Sequence, residues 1–138
     1  MYRLFAVAGA FALAVAFSAA LAEAKKEDKA KSIHDIMETA HGEDGLKDQV
    51  SAANKAKKLA DAKKPAEEWA KLAGELGKNK PPLGADESWK KLTTAYEKQV
   101  KALAAAVKDD KPENVAKALK AINSGCATCH KAHRKPKD

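Results

Sequence analysis

Toward the C-terminus, Val115, Leu119, Ile122, Cys126, Cys129 and His133 follow one another in steps of four, three, four, three and four. That spacing puts all six on one face of an α-helix, because side chains three and four apart stack on the same side. A β-strand would need a period of two. The last segment is therefore expected to be a helix that buries one face against neighbours of the same kind. The only two cysteines of the chain lie on that face.

The rest of the chain shows the same period. Ser32 is an N-cap with Asp35 three residues on, and Ile33, Ile36, Met37 and Ala40 follow at helical spacing until Gly42 and Gly45 end the run. A second pattern starts near Leu46 and takes in Val50, Ala53, Leu59 and Ala60. It meets Pro65 and resumes as Trp69, Leu72, Ala73 and Leu76. Pro65 is expected to kink one long helix or to open a new one. Pro81-Pro82 and Gly84 mark a loop. A third helix follows with the stripe Trp89, Leu92, Tyr96, Val100, Leu103 and Val107. Asp109-Asp110-Lys111-Pro112 is a turn with proline at a helix start. No stretch alternates as a strand would. The expected fold is all-α, an antiparallel up-down-up-down four-helix bundle with short connections.

Composition limits the core such a bundle can build. Tyr2, Phe5, Phe11 and Phe17 lie near the N-terminus, so Trp69, Trp89 and Tyr96 are the only aromatics beyond it. A bundle rich in Ala and Lys buries little large apolar volume, and a flat apolar cofactor would fill the deficit. The formal net charge is +7. Lysines alternate with Glu and Asp along every segment and form no basic run with interleaved aromatics, so nucleic acid is not an expected partner.

Within the last stripe stands Cys126-Ala127-Thr128-Cys129-His130, the C-x-x-C-H signature of c-type haem attachment. Two thiols three apart share a helix face, so both can add to the vinyl groups along one haem edge, and the next imidazole can bind the iron. Gly125 leaves the backbone before Cys126 open to close approach by a ring. Two rival readings use the same residues. A disulfide or redox dithiol normally sits in a βαβ context, which is missing here. Zinc held by Cys126, Cys129, His130 and His133 would need four ligands from eight consecutive helical residues to surround one ion, whereas structural zinc usually takes ligand pairs from separate elements.

The N-terminus supports the haem reading. Arg3 precedes a run from Leu4 to Leu21 that is apolar or small apart from Ser18, followed by Ala20-Leu21-Ala22 and Ala22-Glu23-Ala24 as A-x-A cleavage sites. Residues 1–24 are expected to be a secretory signal peptide, and 25–138 the mature domain. An uncleaved membrane anchor is the alternative. Either way the domain is exported, and c-type haem is attached outside the bacterial cytoplasm.

An export signal, four helices and a haem motif on the last helix together resemble the class II c-type cytochromes, the cytochrome c′ family and its low-spin relatives. The specific likeness runs from Cys126 to Arg134; over the rest of the mature chain it is one of architecture. The family pattern has a basic residue four after the haem histidine, matched by Arg134. It often has an aromatic just before that residue, where this chain has His133. The resemblance implies one covalent haem c on Cys126 and Cys129, His130 as the proximal iron ligand, and a distal side facing the first helix. Low-spin members supply a methionine there, and Met37 takes that position. It also resembles the methionine ligand of the related b-type four-helix cytochrome. Met37 shares the inward stripe of Ile33, Ile36 and Ala40. His34 and His41, at i−3 and i+4 from it, are rival ligands, and an open site is the third case. His133, one turn from His130 on the same helix, is poorly placed for the distal side.

These expectations describe a periplasmic one-electron carrier, without enzymatic turnover, in which His130 and Met37 hold the iron and Arg134 contacts a haem propionate. The alternative is a five-coordinate haem protein binding NO or CO. A peroxidase-like reaction has least support, because no distal acid–base pair can be placed. Lys131, Arg134, Lys135 and Lys137 form a basic cluster beside the motif, a docking face for an acidic redox partner. Members of the family often form homodimers through the first two helices.

Overall fold

The computed structural model describes residues 31–136, so the proposed signal peptide and Lys137 lie outside the described residues. Five helices run in order: α1 (Ile33–His41), α2 (Leu46–Lys55), α3 (Leu59–Leu76), α4 (Asp86–Lys108) and α5 (Pro112–His133). There is no strand among the described residues. None of the described helices is long and apolar enough to cross a membrane.

The five helices make four arms. Asn79 Nδ2 beyond the end of α3 donates to Lys31 O ahead of α1. His41 stacks edge-on against Trp69 at 5.3 Å, and Asp44 and Gly45 border one surface groove with Pro65 and Glu68. These pairings keep one antiparallel register along α3, so α1 and α2 together form the first arm and α3 the second. Trp69 meets Tyr96 and Trp89 meets Asn79, which sets α4 antiparallel to α3. Ser88 meets His133, which sets α5 antiparallel to α4. α5 also lies along α2, where Ser51 and Asn54 share a groove with Leu119 and Asn123. Four arms thus alternate in direction, but the first is α1 and α2 together: Gly42–Gly45, where the sequence pattern placed the turn between the first two helices, only breaks this arm.

Local chemistry explains each break. Ser32 Oγ accepts the Asp35 amide at 3.1 Å and donates to Asp35 Oδ2 at 2.7 Å, which starts α1 with a side-chain N-cap. At Gly45, which is buried, a Cβ would come within 2.9 Å of Gly42 O, so the interruption needs glycine there.

The reversal between the first two arms differs from the sequence expectation. It falls at Ala56–Lys58, and Pro65 lies inside α3. Lys58 N donates to Ala53 O and Lys57 N to Asn54 O, the paired bonds of a left-handed helix cap. Lys57 takes the left-handed position with φ 57°. The turn after α4 repeats this device, with Asp110 at φ 54° and Lys111 N donating to Ala106 O at 3.0 Å. Glycine usually occupies that position; lysine there costs roughly 1–2 kcal/mol. Pro65, seven residues into α3, leaves the Asp61 carbonyl without its i+4 donor.

The core is a column of Ile36, Val50, Trp69, Leu76, Val100, Leu103, Val107, Val115 and Ile122, each within 2% of full burial. Buried Ala40, Ala62, Ala66 and Ala73 let the arms approach closely. The two polar exceptions are Thr93, which donates to Trp89 O at 2.9 Å, and His133.

Candidate cofactor site

α5 presents Cys126 and Cys129 one turn apart and half-buried, with both thiols free. Cys126 Sγ lies 3.4 Å from Ile122 O, a weak thiol-to-carbonyl bond one turn back. Burial raises the Cys129 thiol above its ordinary pKa, and neighbouring Cys126 adds to the rise. His130 is exposed on the next turn. Gly125 is half-buried, and a Cβ there would meet Gln99 Oε1 at 3.7 Å, an ordinary contact. The packing of α4 on α5 therefore does not require glycine at this position.

A polar chain joins three helices. Trp69 Nε1 on α3 donates to Tyr96 Oη on α4 at 2.7 Å. Tyr96 Oη lies 2.9 Å from His41 Nε2 at the end of α1. The His41 ring also stacks edge-on against the Trp69 indole. Burial holds the His41 pKa down to about 4, and the positive charges of Lys47 and then His130 push the same way against a smaller opposing effect of Asp48. His41 is thus neutral near pH 7 and electrostatically close to His130. Burial drives the Tyr96 phenol upward, partly offset by the Trp69 hydrogen bond, and Cys126 adds to the rise. The chain is therefore coupled electrostatically to Cys126 and His130.

Met37 is half-buried and packs against the core one turn before His41. His34 is exposed. Arg134 caps α5 through its amide, which donates to His130 O at 3.0 Å, and its side chain is exposed. Lys131 and Lys135 are exposed beside it.

His133 continues the stripe of the two cysteines and is held by the start of α4 and the loop before it. It is 2% exposed. Its Nδ1 lies 2.7 Å from Leu83 O and its Nε2 2.7 Å from Ser88 Oγ. A carbonyl can only accept, so Nδ1 carries a proton. The ring also packs edge-on against Trp89 at 5.3 Å. Gly84, at φ +79°, makes room for it: a Cβ there would come 2.9 Å from His133 Nδ1. With both nitrogens engaged, His133 is not available to zinc. Among the described residues, no three His, Cys, Asp or Glu side chains gather as a metal site.

Sequence reasoning missed Tyr96 and Trp69 as partners of His41, and Ser88 and Leu83 as partners of His133. A signal existed. The three aromatics beyond the N-terminal run each meet a histidine ring, and buried Trp and Tyr need partners for their polar ends. Comparison with protein-family models, curated proteins and solved structures finds no match to this chain.

Proposed function

We propose that this chain is an exported monohaem c-type cytochrome that carries single electrons. The observation that carries the reading is the C-x-x-C-H run on the last arm, whose two free thiols stand on one helix face beside an exposed imidazole. Gly125 adds support, because helix packing leaves it unexplained. Cys126 and Cys129 would hold the haem by thioethers, His130 would be the proximal ligand and Met37 the distal one. Bound haem c supplies a reversible one-electron ferric/ferrous couple. The protein's part is to keep the same two ligands in both states, which limits the rearrangement that electron transfer requires. Methionine opposite histidine also raises the reduction potential relative to two histidines. Arg134 is assigned to a propionate. Exposed Lys131, Arg134 and Lys135 offer an acidic partner a docking face whose association rate falls with added salt.

His41 gives a specific second reading, bis-histidine ligation, because it is neutral and near His130. Absorption and magnetic circular dichroism separate the two. The His130/Met37 reading expects low-spin bands with a weak near-infrared methionine-to-iron band, lost in Met37→Ala. An unchanged spectrum in Met37→Ala removes Met37 from the site. High-spin bands with rapid CO binding would instead mark an open distal position.

A further inference from the structure

Met37 and His41 lie one turn apart at the end of α1, and both are half-buried. If one binds iron, something must decide between them, since imidazole is a strong haem ligand. The hydrogen bonds around Tyr96 supply the deciding element. The Trp69 indole can only donate, so Tyr96 Oη accepts from it at 2.7 Å. The phenol then has one proton to place, and His41 Nε2 is 2.9 Å away. Were Nε2 protonated, both neighbours would aim hydrogens at one oxygen and the phenol proton would lack this partner. The arrangement that gives both the indole proton and the phenol proton an acceptor has Tyr96 donating to a bare Nε2, with the imidazole proton on Nδ1. In that tautomer neither nitrogen of His41 has a lone pair to give: Nδ1 holds a proton and Nε2 holds the phenol.

We propose that Tyr96 selects the sixth ligand, by occupying His41 Nε2 and leaving Met37 as the ligand from α1. The proposal rests on the haem reading above and adds a positioning residue to it. Trp69 is the anchor of the device, because its indole orients the phenol proton toward α1.

The test uses the complete haem-loaded protein. Tyr96→Phe keeps the ring and removes only the hydroxyl. Its expected result is loss of the near-infrared methionine band, gain of a bis-histidine low-spin signature and a shift of the reduction potential to lower values. Tyr96→Phe/His41→Ala is expected to restore the methionine band. If the parent protein shows the methionine band and Tyr96→Phe keeps both band and potential, the proposal is overturned and the haem reading stands. If the parent shows no methionine band, the His130/Met37 reading itself has failed, whatever Tyr96 does. Loss of the band in Tyr96→Phe without recovery in the double variant also overturns the proposal, because the hydroxyl would then merely support the fold. Should Tyr96→Phe not accumulate, ¹⁵N NMR of the parent ferrous protein decides. An Nδ1-protonated His41 with a hydrogen-bonded Nε2 supports the proposal, and an Nε2-protonated ring defeats it.

Discussion

The seam between α3 and α4 and the residues around the cysteine motif and the end of α1 are packed differently. Along the seam, Trp69, Leu72, Leu76, Trp89, Val100 and Leu103 are all at least 96% buried. In the second group Met37, His41, Tyr96, Cys126 and Cys129 are only half-buried. The apolar stripe of α5 crosses from one regime to the other: Val115 and Ile122 are fully buried, whereas the two cysteines are not. The difference teaches that polypeptide packing completes the α3–α4 seam, while the chemistry-bearing side chains are left half-buried. The two inward histidines follow the same division. His133 spends both nitrogens on Leu83 and Ser88 and ties the end of α5 to α4. His41 meets one hydroxyl and stands beside the motif.

Substitutions should break this contrast in order of size. Leu103→Ala, at the buried seam, is expected to cost about 2–5 kcal/mol in denaturant unfolding and leave the optical spectrum of folded, haem-loaded protein unchanged. A spectral change would mean that the two regions are not separable.

Acid should act from the other side. His41 has a folded pKa of about 4 against 6.5 for the free side chain, so the unfolded chain binds the proton more readily. Its contribution to stability is intact above pH 6.5 and is lost as the pH falls toward 4. Allowing for solvent screening at a partly exposed ring, the loss is about 1–2 kcal/mol. Urea midpoints of the cofactor-free chain measured across that window should fall, with a shallower fall in His41→Asn, which isolates this group from the carboxylates. Equal slopes would remove His41 from the balance.

The smallest expected effect is a gain. Lys57→Gly relieves a left-handed lysine and should add about 1 kcal/mol, read as a raised urea midpoint. A loss would mean that the lysine side chain stabilises the turn in some other way.

The helical period gave the fold class, the stripes of α4 and α5 and the antiparallel order, because amphipathic spacing is a direct record of burial. The reversal after α2 was hidden because Lys57 fills a position where glycine is the usual marker. Gly42 and Gly45 drew the boundary instead, although they only break the first arm, and Pro65, expected as a kink or a helix start, lies inside α3. The cysteine motif was legible because its chemistry is local to five residues. The Trp69–Tyr96–His41 chain was not, because it joins three helices through side chains far apart in sequence. His133 continued the α5 stripe as read, yet its partners on the 77–85 segment and at Ser88 depend on tertiary contact.

The most direct measurement is the intact mass of the protein purified from a host able to mature c-type haem. The account predicts a coloured protein whose denatured mass exceeds the bare mature chain by one haem, an excess abolished in Cys126→Ser/Cys129→Ser. A colourless product with the mass of the polypeptide alone would contradict it.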